Sequence, residues 1–221
     1  MIKVGITGQQ GFVGNHLYNT ISLLKEEFQL IPFERAFFED TSRLAAWVSD
    51  CDVIVHLAAM NRHPDQQVIH DNNVALVQKL IEALEQTNSA PHVIFSSSLQ
   101  ENNDNPYGIS KKTGRTLLQN WAEKNNAKLI GMIVPNVFGP FGKPFYNSVI
   151  ATFSHQLCNS LNPKIDIDGQ LKLIYVGELV DCIITEIRTE KHNPELLIEH
   201  TSEHKVSEIL ILLNTFHTMD F

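Results

Sequence analysis

The chain has 221 residues and 43% apolar content, enough for one domain, or a domain with a small extra lobe, around a buried core. A formal net charge of −8 with no long basic run argues against general nucleic-acid binding, and no apolar stretch reaches membrane-spanning length. Three scattered cysteines, Cys51, Cys158 and Cys182, form no CxxC pair, which disfavours a disulfide framework or zinc knuckle and fits a reducing, cytoplasmic setting.

The N-terminus reads as a strand rather than a leader peptide, with Ile2 to Thr7 as a short β-rich run. Phe12 to Leu24 carries helical spacing through Val13, Leu17, Ile21 and Leu24. Phe28 to Phe33 is a second apolar run, Leu44 to Val48 a helical segment and Val53 to Leu57 a third strand. Val74 to Leu84 repeats at helical spacing through Val77, Leu80 and Ile81. Val93 to Phe95 opens a fourth strand that ends in three serines, Lys111 to Glu123 is helical, and Leu129 to Val134 is a further strand. Apolar strands alternating with amphipathic helices predict an α/β fold with a doubly wound parallel sheet. Beyond Pro135 the pattern loosens. Gly139, Pro140, Gly142 and Pro144 punctuate a loop. The segment 146–157 reads as helix, Leu171 to Val176 as strand, and Glu178 to Arg188 and Val206 to Leu213 as helices.

Thr7-Gly8-Gln9-Gln10-Gly11-Phe12-Val13-Gly14 lies between the first strand and the first helix. In this G-x-x-G-x-x-G spacing Gly8 can turn tightly, Gly11 lets the backbone approach a pyrophosphate, and Gly14 lets helix and strand pack closely. The helix N-terminus then faces the phosphates with unpaired N–H groups. Gly8, Gln10, Gly11, Phe12 and Val13 are the expected cofactor contacts in this turn. Glu34 and Arg35 follow the second strand, about 20 residues past the glycines, where a dinucleotide places its adenosine ribose. Glu34 would hold the ribose hydroxyls of NAD, whereas Arg35 would pair with the 2′-phosphate of NADP; Asp40 is a further candidate at the adenine end.

The fourth strand closes on Phe95-Ser96-Ser97-Ser98, and Asn105-Pro106-Tyr107-Gly108-Ile109-Ser110-Lys111 follows. Tyr107 and Lys111 are four apart, so on a helix they share a face. A tyrosine with a pKa of about 10 exchanges protons poorly at neutral pH. A lysine cation beside it favours the phenolate. Tyr107 could then pass a proton to or from a substrate oxygen while a hydride moves at the same carbon, with Ser98 holding that oxygen. A Tyr-x-x-x-Lys alone usually marks a solvated helix face, but here glycine turn, serine-rich strand end and Tyr-x-x-x-Lys occur in that order, at spacings that fit one fold.

With His56-Leu57-Ala58-Ala59 and Pro135-Asn136-Val137-Phe138-Gly139-Pro140 added, the sequence resembles the extended short-chain dehydrogenase/reductases, the NAD-dependent epimerase/dehydratase family, over roughly residues 2 to 213. The resemblance implies a Rossmann fold whose dinucleotide-binding core occupies mainly residues 1–135. A small C-terminal substrate lobe would occupy mainly 136–221, the whole forming one unit. It implies Ser98, Tyr107 and Lys111 as a catalytic triad. Leu57, Ala58, Ala59, Ser96, Pro135 and Val137 would lie beside the cofactor, and Asn136 near the sugar-nucleotide phosphates.

A narrower likeness, carried by Asn61-Arg62, Asp104 to Gly108 and Lys143 to Phe153, is to reductases of capsular polysaccharide assembly. It implies NADPH-dependent reduction of a UDP-4-keto-6-deoxy-amino sugar and adds Asn61, Arg62, Asn147 and Ser148 as substrate contacts. Those reductases also carry a C-terminal cupin that epimerises the sugar. The expectation here is a unit without that cupin, with a cupin-type epimerase as a separate partner, and a short lobe. Ile133 stands where an arginine is expected and Gly177-Glu178 where aspartates are paired, changes that bear on substrate affinity more than on cofactor binding. Related enzymes pair two long helices per subunit into a four-helix bundle. Here these would be Val74 to Leu84 and Lys111 to Glu123, which implies a homodimer.

Three functions follow from this reading. The first is NAD(P)H-dependent reduction of the keto sugar, with NADP(H) favoured and NAD(H) as the alternative. The second is NAD-dependent nucleotide-sugar 4-epimerisation, and the third is cofactor binding without turnover. Leu99-Gln100 after Ser98, in place of an acidic pair, argues against a dehydratase. His200 and His204 have i, i+4 spacing but no third ligand nearby, so no metal is expected. His56 is expected to pack or hydrogen-bond within its strand, and Phe33, Phe37 and Phe38 to pack in the core or a loop.

Overall fold

The computed structural model describes residues 1–219. They form two compact units, the first from Met1–Val134 and Val180–Ile198, the second from Pro135–Leu179 and Glu199 onward. The chain thus leaves the first unit at Pro135 and returns to it for Val180–Ile198.

The first unit is built on β1 (Ile2–Thr7), β2 (Phe28–Ile31), β3 (Val53–His56), β4 (His92–Ser98), β5 (Leu129–Val134) and β8 (Asn193–Leu197). They form one sheet in the order β2-β1-β3-β4-β5-β8, parallel throughout. Val4, Val53, Ile54, Val55, Val93, Ile94, Leu129 and Ile130 are essentially inaccessible, as strands covered on both faces require. Helices α1 (Phe12–Leu23), α2 (Thr41–Ser49), α3 (Gln66–Thr87) and α4 (Pro106–Asn125) connect these strands. Phe33, Phe38, Trp47, Leu80, Leu84, Leu118 and Trp121 belong to one apolar core with the sheet residues Ile54, Val93, Phe95 and Leu129. The expected packing of Phe33, Phe37 and Phe38 is present: the Phe33 ring meets both others and Trp47 edge-on.

Several boundaries differ from the sequence reading. β2 ends at Ile31 because Pro32 has no N–H to continue the ladder. Residues Arg35–Glu39 form a 3-10 turn, and Asp40 then caps α2 by accepting from Arg43 N. Helix α3 begins at Gln66, well before its apolar repeat, because Asp65 caps it there by accepting from Gln67 N. Asn105 caps α4 by accepting from Gly108 N, and Pro106 occupies the first helical turn, where its missing N–H costs nothing.

The second unit holds β6 (Asn136–Phe138), β7 (Gln170–Tyr175) and β9 (Ser202–Lys205) in the order β6-β7-β9, with β6 parallel and β9 antiparallel to β7. Its helices are α5 (Val149–Cys158) and α7 (Val206–Thr218), and α6 (Val176–Thr189) begins in it and runs on into the first unit. α5 starts at Val149 rather than 146 because Ser148 caps it through Ala151 N. α6 starts two residues before Glu178, whose carboxylate accepts from Tyr175 N and Thr201 Oγ1. Among the described residues no helix is long and apolar enough to cross a membrane.

Candidate active site

In a doubly wound sheet, ligands bind beyond the C-terminal strand ends where the strand order reverses. Here that point lies between β1 and β3, because the chain places β2 on one side of β1 and β3 on the other. Thr7, His56, Phe95 and Gly131 stand in one register row across β1, β3, β4 and β5. The glycine turn, Leu57 to Ala59 and the three serines that end β4 therefore all lie at the C-terminal edge of the sheet.

The glycine turn has the shape a pyrophosphate needs. Gly8 has φ +74°, and a side chain there would press on Ala58 N at 2.8 Å; one at Gly14 would run into Gly8 O. Gly11 N donates to Gly8 O at 2.9 Å, and Asn15 N returns to Gly11 O as the first helical bond. Gly11 is the N-cap of α1, and no side chain caps that end. The first-turn N–H groups of α1, from Phe12, Val13 and Gly14, thus face outward without an internal cap, and the turn fits a phosphorylated cofactor. Gln10 is exposed beside it.

Thr7 ties this turn to the next strand. Its hydroxyl is 2.9 Å from His56 Nδ1 and accepts from Ala58 N at 3.2 Å. The expected packing of His56 is seen: its ring stacks on Phe95 at 5.8 Å and meets Phe38 edge-on. Burial, with Lys111 as a second cause, pushes the imidazole down to about 3, so it is neutral, and its Nε2 is unpaired within the chain. Leu57, Ala58 and Ala59 are half-buried along the strand exit.

At the expected adenosine end Glu34 and Arg35 are both exposed after β2. Glu34 bonds Arg43 at 3.1 Å, and the Arg43 guanidinium lies 4.4 Å from the Phe37 ring. Arg43 is a second cation at this end that the sequence reading passed over; it sits on α2, away from the strand end where the pattern directs attention. Asp40 is occupied as the α2 cap.

The three residues expected as a triad come from β4 and α4. Ser98 ends β4 half-buried, and its Oγ accepts from Gln100 N at 3.2 Å as cap of a 3-10 turn over Leu99–Asn102. Tyr107, half-buried, and Lys111, 3% exposed, lie one turn apart on α4. Lys111 Nζ donates to Ser96 O at 2.7 Å and lies 5.8 Å from the Tyr107 ring and 5.1 Å from that of Phe95. Burial pushes its amine down to about 8, so it is cationic at neutral pH but close to titration. Ser96 thus meets the site through its carbonyl. Asn73 of α3, which motif reading missed, clasps Met60 through its N–H and C=O and bonds Ser110 Oγ at 3.1 Å. Ser110 in turn donates to the Tyr107 carbonyl at 2.7 Å.

Asn61 and Arg62 lie exposed on the segment after β3. The remaining sequence candidates belong to the second unit. Asn136, exposed on β6, donates to Lys172 O at 3.1 Å; Pro135 and Val137 flank it; Asn147 is exposed and Ser148 caps α5. His200 and His204 pair with Glu203 and Glu208, and among the described residues no cluster of His, Cys, Asp and Glu could hold a metal ion.

A parallel sheet with a glycine turn at its reversal point and Ser, Tyr and Lys on the next strand end and helix defines a nucleotide-cofactor enzyme architecture. The family model described as the NAD dependent epimerase/dehydratase family matches residues 4–198, and the chain belongs to that family. It is 31% identical over 180 residues to a UDP-2-acetamido-2,6-beta-L-arabino-hexul-4-ose reductase from Pseudomonas aeruginosa, covering 81% of this chain and 48% of that protein. Among solved structures it is similar to the capsular polysaccharide assembling protein CapF from Staphylococcus aureus, with a TM-score of 0.81 and 28% identity, covering 98% of this chain and 58% of CapF. The structure of RMD from Pseudomonas aeruginosa complexed with NADPH shares the fold, with a TM-score of 0.86 at 19% identity, over 100% of this chain and 84% of RMD. The chain spans about half the length of the curated relatives it matches.

Proposed function

We propose that this chain reduces the 4-keto group of a UDP-linked 6-deoxy-amino sugar, with NADPH preferred over NADH, in the supply of a surface polysaccharide precursor. The observation that carries the reading is Lys111: a buried amine held on Ser96 O, one helical turn from Tyr107, at the strand end that presents Ser98. The 31% identity to a 4-keto sugar-nucleotide reductase supports the substrate class. When bound, the nicotinamide supplies the hydride. Ser98 holds the ketone oxygen, and Tyr107 donates the proton that oxygen needs as it becomes an alcohol. Lys111 keeps the Tyr107 hydroxyl acidic through its charge. In this reading the first unit binds the cofactor, with Glu34, Arg35 and Asp40 among its contacts, and Pro135 and Val137 of the second unit are further cofactor contacts. The second unit serves the sugar through Asn136, Asn147 and Ser148, and Asn61 and Arg62 of the first unit are further substrate contacts. The chain works in the cytoplasm as a homodimer through α3 and α4, with a cupin-type epimerase as a separate partner.

The test is NADPH titration by fluorescence beside single-turnover reduction of a UDP-4-keto-6-deoxy sugar. Tyr107→Phe removes only the phenolic oxygen, so cofactor affinity stays while the rate falls by roughly 10²–10⁴-fold. Lys111→Met lowers both. If Tyr107→Phe reduces the ketone at the wild-type rate, the triad assignment fails. Protein that retains NAD through purification and interconverts 4-epimers favours the epimerase alternative. Arg35→Ala weakens NADPH far more than NADH; equal loss for both removes Arg35 from the 2′-phosphate.

A further inference from the structure

The most desolvated ion pair in the first unit lies behind the triad and has no part in the chemistry described above. Arg115 on α4 and Glu101 in the 3-10 turn have side chains only 5% and 4% exposed. Arg115 Nε donates to Glu101 Oε2 at 3.1 Å and Nη2 to Oε1 at 2.9 Å, a two-pronged pairing. Glu101 Oε2 also accepts from Ser97 Oγ at 2.6 Å. The remaining arm, Nη1, donates to Pro194 O at 3.1 Å and Glu195 Oε1 at 2.8 Å, which anchors the fork on β8.

Its place in the sequence decides what this pair holds. Tyr107, Lys111 and Arg115 follow at intervals of four on α4, so they lie along one face. Ser97 and Glu101 bracket Ser98: the guanidinium holds the Glu101 carboxylate, and that carboxylate in turn accepts from Ser97 Oγ. The helix and the turn also meet closely at Gly108, next to Tyr107, where a Cβ would collide with Gln100 O. The ties between α4 and the strand end that carries Ser98 therefore include the Lys111 bond to Ser96 O, a backbone approach at Gly108 and, one turn further along the helix, the ionic clamp at Arg115. A buried pair gains little net stability over apolar side chains of the same volume, because desolvation of both charges offsets their attraction. What it adds is geometry, since the guanidinium is a rigid planar fork with fixed donor directions.

Resting on the proposed reductase reading, we propose that Arg115 and Glu101 are positioning residues. They set the separation between the strand end that carries Ser98 and the helix that carries Tyr107 and Lys111. Neither touches substrate or cofactor. Their removal therefore acts on the chemical step and not on binding.

The test replaces both charges with apolar side chains of similar size, Glu101→Leu with Arg115→Met, so that no buried charge is stranded. Two readouts are taken. Turnover of the keto sugar should show kcat down by roughly 10²-fold, the scale of a misplacement of about 1 Å. KM and the NADPH dissociation constant should stay near wild type. The titration of Tyr107, read as phenolate absorbance against a Tyr107→Phe reference, should move to higher pH as the hydroxyl loses its fixed neighbours. That titration needs no substrate. If the wild-type protein turns over no keto sugar yet the Tyr107 titration moves in the double variant, the reductase reading fails and the clamp stands. Wild-type kcat together with a wild-type Tyr107 titration overturns the clamp, as does a loss confined to KM. Should the double variant not fold, Glu101→Gln keeps the volume, drops the charge and gives the same two readouts.

Discussion

The two units use their apolar residues differently. In the first, large side chains vanish into the sheet and the helices over it: Ile54, Leu80, Leu84, Ile94, Leu118 and Leu129 have no accessible surface. In the second, Val206, Ile209, Leu173, Ile174 and Phe153 are buried, but Phe141, Ile167, Ile211, Leu212 and Phe216 are exposed. The polar groups divide the same way. The first unit buries Arg115, Glu101, Lys111, His56 and Asn73, whereas pairs of the second unit such as Asp168 with Ser207 and Lys164 with Asp166 are exposed. Side chains surrounded on all sides can be held to the tolerance that proton transfer needs; those on a thin three-stranded sheet cannot.

Four measurements sharpen or break this contrast. The largest effect is expected at Leu118: truncation to Ala in the sealed core costs about 2–5 kcal/mol. Leu212→Ala, on the open face of α7, changes stability by no more than about 0.5 kcal/mol. Comparable losses from chemical denaturation of the two variants would erase the distinction.

The second effect is in acid. His56 and His92 are buried, and desolvation lowers their imidazoles to about 3 and about 4 from 6.5. Between those values the unfolded chain binds protons that the folded one refuses. Stability is thus fully present above pH 6.5 and is lost as pH falls from there toward 4 and 3. His56→Gln keeps a partner for Thr7 but does not titrate. It flattens that slope in urea melts taken across the range; an unchanged slope would show that His56 is protonated in the fold.

The alkaline side tests the same burial through rate. Lys111 is held near 8, so kcat for the proposed keto-sugar reduction should decline as pH rises through that value and the amine loses its charge. A kcat that stays flat to pH 10 would remove Lys111 as the source of Tyr107 acidity.

The smallest effect is a control. Asn105 caps α4 in the first unit and Ser148 caps α5 in the second, each accepting one backbone N–H. Replacing either by Ala should cost about 1 kcal/mol. Equal costs would show that the units differ in burial and not in local helix chemistry, whereas a much larger cost at Asn105 would implicate the Tyr107 helix as a whole.

The parts of the molecule legible in the sequence share one property: their signal is local. The glycine turn, the apolar strands β1, β3, β4 and β5, and the Tyr107–Lys111 face each declare themselves within a few residues. β8 and β9 did not. β8 reads Asn-Pro-Glu-Leu-Leu, an edge strand that tolerates proline because its outer side needs no partner. β9 reads Ser-Glu-His-Lys, polar throughout. Both owe their strand character to a neighbour distant in sequence. The same holds for the Arg115–Glu101 clamp. Four-residue spacing from Lys111 could have flagged Arg115, but nothing near Glu101 announces that its carboxylate turns inward. Arg43 was missed for the reverse reason, since the pattern points to the strand end and the second cation comes from the next helix.

The uncapped start of α1 has a consequence of its own. A helix that lacks a side chain at its N-cap is unfinished, and its opening turn frays more readily than the rest. A pyrophosphate bound against the N–H groups of Phe12, Val13 and Gly14 would complete the secondary structure from outside the chain. Cofactor and polypeptide would then share one hydrogen-bonding pattern. Loading the site would register as slowed amide exchange over that first turn, and as a melting temperature that climbs with ligand concentration.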